Sequence, residues 1–210
     1  MSKFVDEIVH QSSQGSGTIT LGASGETIAL ASGASASGNF GNLVLLNTIT
    51  TTDATTTNID FDSTYINSTY DTYKIFSQVH PVTDNVELRV RMSLSGTFQT
   101  GASYYGQGLV NDGATSVNNN ATDNWDVALG VGNASGEGAS TDFTLLATND
   151  TNIPTMMIGT ISMRSYGGNH GMQTGSYCVN SADAHDGIRF YWSSGNFDTG
   201  SKISLYGVKQ

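Results

Sequence analysis

The chain has 210 residues, a formal net charge of −10 and only 12% charged residues. Nucleic acids and anionic membranes are both bound through clustered Lys and Arg, so an acidic chain with 8 scattered basic residues argues against either partner. No apolar run is long enough to span a bilayer. Ser, Thr, Asn and Gly must therefore provide the solubility. This composition is typical of strands and tight turns rather than of exposed helices.

Residues 1–40 predict an extended N-terminal β arm that serves assembly. Residues 18–21 and 27–30 form an imperfect repeat, in which each unit predicts a four-residue strand followed by a small-residue turn. Two such strands cannot make a core alone, so we expect them to pair with neighbouring copies or to lie on another protein. A flexible linker is the alternative. The apolar residues expected at this assembly interface are Phe4, Val5, Ile8, Ile19, Leu21, Ile28 and Leu30.

Residues 41–210 predict a jelly-roll-like β-sandwich. Val86, Leu88, Val90 and Met92 alternate with polar residues, which indicates a strand with one buried face and one charged face that carries Glu87, Arg89 and Arg91. Further strands are expected around residues 73–79, 127–131, 143–145, 156–163, 188–192 and 203–208. The last two are expected to form a hairpin with a long loop. Helical periodicity is nowhere sustained, and Gly-rich connections between about eight strands favour a sandwich.

Two groups of side chains are candidates for a reactive site, one around His185 and one around Cys178. His185 stands between Asp183 and Asp186, but one imidazole and two carboxylates are too few ligands for a specific metal site. Cys178, the only cysteine, cannot form a disulfide within the chain. With His170 it would make a thiol nucleophile and its base, although a buried structural cysteine is the better interpretation. We therefore predict no catalytic residue, no metal and no cofactor.

A segment rich in oxygen ligands raises the question of calcium. The spacing of an EF-hand is absent, and turn chemistry explains the same Asn and Asp residues equally well. The residues concerned are Asn111, Asp112, Asn118, Asn119, Asn120, Asp123 and Asp126.

Aromatic residues flank that segment and are the candidates for ligand binding. Tyr104, Tyr105 and Trp125 would stack on the apolar faces of sugars if they lie on exposed loops. The alternative for Trp125 is packing in the core of the sandwich, where large aromatic side chains usually lie. A glycan-cleaving enzyme would need two suitably placed acids, which the sequence does not single out.

Six segments of the chain carry a resemblance to known proteins: GIRFYWSSGN at 187–196, SKISLYG at 201–207, YDTYKI at 70–75, PVTDNVELRVR at 81–91, VDEI at 5–8 and TITLG at 18–22. They resemble segments of structural proteins of tailed-phage virions, especially those of marine phages. The resemblance implies a non-catalytic virion component, either a capsid decoration protein or a fibre-type protein. Its expected partners are further copies of itself, most simply in a trimer, and capsid or tail proteins. A carbohydrate-binding module that recognises a host receptor is the alternative.

Overall fold

The computed structural model describes residues 43–101, 103–110 and 116–209. Every regular element in these ranges is a strand. The described residues form no helix that could cross a membrane. The predicted assembly arm, with its seven interface residues, lies outside the described residues. The strands are β1 (Leu43–Thr50), β2 (Asn58–Phe61), β3 (Thr72–Val79), β4 (Val86–Leu94), β5 (Thr97–Phe98), β6 (Tyr104–Val110), β7 (Ser116–Thr122), β8 (Trp125–Val131), β9 (Gly138–Leu146), β10 (Met156–Arg164), β11 (His170–Val179), β12 (Gly187–Trp192) and β13 (Lys202–Val208).

The strands form two antiparallel sheets that pack against each other as a β-sandwich, which confirms the predicted all-β class. The large sheet has the order β1-β13-β3-β9-β10-β11-β6-β7. The small sheet has the order β2-β12-β4-β5, and β8 also pairs with β4. The more specific jelly-roll connectivity stays a prediction.

The alternation predicted around residue 90 is confirmed in β4. Val86, Leu88, Val90 and Met92 are all buried, with exposed fractions of 2% or less, and they face the large sheet. The charged side chains of β4, Glu87, Arg89 and Arg91, point to the opposite face, but they are half-buried rather than fully exposed. The reason is that they pair with one another and with side chains of the neighbouring strands, as described below.

The predicted C-terminal hairpin is wrong, because β12 and β13 belong to different sheets. β12 pairs with β2 and β4 in the small sheet, whereas β13 pairs with β1 and β3 in the large sheet. The connecting segment, residues 193–201, crosses one end of the sandwich. Its Phe197 is fully buried and packs against Trp192 with ring centroids 5.5 Å apart. Burial of this ring favours a crossing over a tight turn.

Candidate functional site

Two of the three predicted ligand-binding aromatic residues lie in the core. Tyr104 and Trp125 are both 0% exposed, with ring centroids 5.4 Å apart in an edge-to-face arrangement. The Trp125 indole N–H donates to the carbonyl of Cys178 at 3.1 Å, and the Tyr104 hydroxyl donates to the carbonyl of Gln99 at 3.1 Å. Burial raises the pKa of Tyr104 to about 12. Neither ring offers a face to a sugar, so the ligand-binding hypothesis is wrong for both, and the core interpretation of Trp125 is confirmed.

The third aromatic residue, Tyr105, is half-buried and points away from the core. Its side chain alternates with that of Tyr104 along β6, and therefore it lies on the outer face of the large sheet.

His185 is a buried structural residue. Its Nδ1 lies 2.9 Å from the Thr155 hydroxyl, and its exposed fraction is 1%. Burial lowers the pKa of His185, and the neighbouring carboxylates of Asp183 and Asp186 oppose that shift. Asp186 itself accepts hydrogen bonds from the Ser93 hydroxyl at 2.7 Å and the Gly96 backbone N–H. The carboxylate thus fixes the turn after β4. Within the described ranges no three His, Cys, Asp or Glu side chains cluster as metal ligands.

Cys178 and His170 do not form a nucleophile–base pair. They lie eight residues apart near opposite ends of β11, which corresponds to roughly 26 Å along an extended strand. Cys178 is half-buried and points outward, so the expected burial of this thiol is also wrong. It alternates with Tyr177, whose ring occupies the inward side of β11.

The acidic residues of the oxygen-rich segment that the structure describes are engaged in ion pairs. Asp123 accepts from Arg91, and Asp126 accepts from the Arg89 Nε at 2.8 Å. Asn111 and Asp112 lie outside the described residues. The calcium hypothesis is therefore left without two of its carboxylates.

These ion pairs lie on the outer face of the small sheet, where the charged side chains pair with one another. Arg189 binds Asp60 through two hydrogen bonds of 2.8 and 2.7 Å, and its guanidinium lies 4.0 Å from the centre of the Phe98 ring. The Arg91 guanidinium lies 4.8 Å from the centre of the Tyr191 ring. Each of the three arginines on this face has a carboxylate partner, so in the part of the chain that the structure describes their charges stabilise the sheet rather than await a ligand.

The outer face of the large sheet is different, because it exposes apolar side chains. Nine large apolar side chains of the described residues are exposed, and six of them point outward from this sheet. Their exposed fractions run from 38% for Phe76 to 71% for Leu109. The six are Leu43, Leu45, Phe76, Leu109, Ile158 and Met172. We call this set the apolar face.

Hydroxyl-bearing side chains fill the space between these apolar residues. Thr144 and Ser176 flank Ile158 across β9 and β11, while Phe76 packs edge-to-face on Tyr206 at 5.7 Å. Lys74 forms an ion pair with Asp142 near the centre. A sheet face of this kind, with exposed apolar side chains among hydroxyl groups and few charges, is typical of a protein–protein interface.

A polar cleft of about 430 Å³ lies at one end of the large sheet. The ends of β3 and β10 and the beginnings of β9 and β11 converge there, together with the turn before β13. Its ionisable lining residues are His80, Glu137, Arg164 and His170.

Neither the apolar face nor the cleft could be recognised from the sequence. Single exposed apolar residues in separate strands become one face only when the strand order is known, and the cleft brings together side chains from across the chain. No family model, no curated protein and no solved structure matches this chain.

Proposed function

We propose that the chain is a non-catalytic structural protein of a tailed-phage virion, displayed at the particle surface as a homo-oligomer of the capsid-decoration or fibre type. The observation that carries the assembly role is the apolar face. Soluble monomers rarely leave so many large apolar side chains exposed on the same side of one sheet, so a partner is expected to cover them. The virion context comes from the sequence resemblance.

The apolar face alone supplies enough binding free energy for a weak complex, so a stable oligomer needs a second contact. Its six side chains are each about half exposed, which amounts to roughly three complete side chains. Burying them contributes about 5–9 kcal/mol per copy at 1.5–3 kcal/mol for each side chain. Association itself costs about 4–15 kcal/mol, so this face alone supports a weak complex.

We assign the covering partner to a second copy of the chain, whose arm supplies the remaining contact. Forty-two residues precede β1, which is the outermost of the described strands at one edge of the large sheet and carries two residues of the apolar face, Leu43 and Leu45. The apolar side chains Ile19, Leu21 and Ile28 of the arm match such a surface in character. An arm exchanged between copies gives a closed, symmetric oligomer, for which a trimer is the simplest proposal.

The alternative function, recognition of host glycans, loses its original basis because Tyr104 and Trp125 are buried. The nucleophile–base pair that the sequence offered is not formed, because Cys178 and His170 lie near opposite ends of β11. A small protein with two packed sheets and a single, half-buried thiol also suits a particle that must persist outside the cell.

Two measurements test the proposal. Light scattering on the full chain should give a mass three times that of one copy, and a monomer at micromolar concentration would refute the oligomeric role. Co-sedimentation with phage particles that lack the protein should recover it on the particle. A protein that forms the trimer but never binds particles would refute the virion role alone.

A further inference from the structure

The polar cleft holds an arginine whose guanidinium is fixed but unpaired. The Nε of Arg164 donates to the carbonyl of Gly168 at 3.0 Å, which sets the plane of the group. The guanidinium fits between two glycines: a Cβ at Gly136 would lie 3.3 Å from one terminal nitrogen, and a Cβ at Gly168 would lie 3.6 Å from the other. No described carboxylate is within ion-pair distance of Arg164.

Arg164 is the exception among the four arginines of the chain. Arg89, Arg91 and Arg189 each bind a carboxylate on the small sheet. In a chain of net charge −10, a guanidinium without an acid partner is unusual. A planar guanidinium that presents two terminal nitrogens is the arrangement that binds a carboxylate with two parallel hydrogen bonds.

The imidazole of His170 adds a second donor beside it. His170 is the direct register partner of Arg164 across β10 and β11, and its side chain is exposed on the same face. Directly opposed side chains lie within about 5.5 Å at their Cβ atoms, so one ligand group can contact both.

The rest of the cleft offers partners for hydroxyl groups. Gln78, Ser140 and Ser162 stand in one row across β3, β9 and β10 and point outward into the cleft. The carboxylate of Glu137 accepts the Ala134 backbone N–H at 2.9 Å, which holds it in its own loop at the rim. That carboxylate is not within ion-pair distance of Arg164 and is an acceptor for hydroxyl groups.

Two further ionisable side chains near the cleft, His80 and Asp198, are engaged with each other. His80 lies 3.2 Å from the carboxylate of Asp198. Apart from the histidines, none of the lining residues is aromatic, so a neutral sugar would find no ring on which to stack.

We propose that this cleft binds an acidic sugar, with Arg164 holding the ligand carboxylate and the row of Gln78, Ser140 and Ser162 binding its hydroxyl groups. The volume lies at the lower end of the range for small-molecule sites, about 300–1,000 Å³. The assembly role and this site are separable, because particle mass reports the first and ligand titration reports the second.

The test is a titration of the full-length protein with methyl glucuronide, with methyl glucoside as the uncharged match. Ligand-observed NMR should show binding of the glucuronide in the millimolar range and at least tenfold weaker binding of the glucoside, because hydrogen bonds to charged groups carry most of the affinity. Arg164→Gln should weaken glucuronide binding at least tenfold, and Arg164→Lys should restore only part of it. Equal binding of the two sugars, no binding of the glucuronide, or an unchanged affinity in Arg164→Gln overturns the proposal.

A second pair of variants keeps the test independent of the loop that Arg164 stabilises. Ser140→Tyr fills the cleft from an exposed position and should abolish binding, whereas Ser68→Tyr adds the same bulk at an exposed turn between β2 and β3 and should leave it unchanged. If both variants bind the glucuronide as the unaltered protein does, the ligand lies elsewhere and the assignment of the cleft is wrong.

Discussion

Replacing Ile158 by Glu should dissociate the oligomer into monomers without unfolding the sandwich. Ile158 lies near the middle of the apolar face and is 44% exposed in the single chain. Covering that exposed part contributes about 0.7–1.3 kcal/mol to each contact. The substitution removes this contribution and places a carboxylate in the interface, where desolvation adds a larger penalty. We expect a total loss of at least about 3 kcal/mol, which weakens association by more than about a hundredfold.

Ile153→Glu is the matched control. Ile153 has nearly the same exposure, 46%, but it lies in the loop between β9 and β10 rather than on the apolar face. Light scattering over a concentration series should show Ile158→Glu as a monomer and Ile153→Glu as the unaltered oligomer. The two variants should have the same thermal midpoint once the stabilisation that association gives to the oligomer has been subtracted. Equal oligomer mass in the two variants would show that the apolar face is not the interface.

Three further predictions concern the arm, a buried histidine and the core. Deleting residues 1–38 should leave a folded sandwich that associates far more weakly, measured by light scattering; an unchanged oligomer would reduce the arm to a linker. Because burial lowers the pKa of His185, the unfolded state binds its proton first, so stability should be constant above about pH 6.5 and fall below it by at most about 1.4 kcal/mol per pH unit. Denaturant titrations at several pH values should show this fall in the unaltered protein and a weaker one in His185→Gln; identical profiles would contradict the assignment. Trp125→Ala should cost about 3–5 kcal/mol of unfolding free energy in a denaturant titration, whereas a loss below about 1 kcal/mol would contradict its place in the core.

The sequence pattern was sufficient for strands that have one apolar and one polar side. β4 follows from its strict alternation, and β3 follows from Tyr73, Ile75 and Val79, which are all buried. The side-chain period of an extended strand is two, so in these segments local order alone decides which residues face the core.

Pairing and burial across the sandwich were not predictable in the same way. The short distance along the chain between β12 and β13 suggested a hairpin, although Phe197 fills the end of the core and the chain crosses to the other sheet. Tyr104 and Trp125 stood beside a polar segment and yet pack on each other between the sheets. A residue's neighbours in sequence do not reveal which surface of a distant strand it will meet.

The candidate site depended even more on long-range order. Arg164 was not among the residues that the sequence singled out, because its significance rests on the absence of a carboxylate that its three counterparts possess. That contrast becomes visible only when all four arginines have been placed in the fold.

The crossing between β12 and β13 has a consequence for the order in which the protein is made. β12 lies between β2 and β4, and β13 lies between β1 and β3, so residues 187–208 supply an interior strand to each sheet. Leu43, one of the first described residues, finds its register partner in Val208. Neither sheet can be completed while these residues are still inside the ribosome. A chain interrupted before residue 187 would expose unpaired strand edges in both sheets. Folding of the sandwich is thus delayed until synthesis has passed its last strand, which means that only fully translated sandwiches are available for assembly.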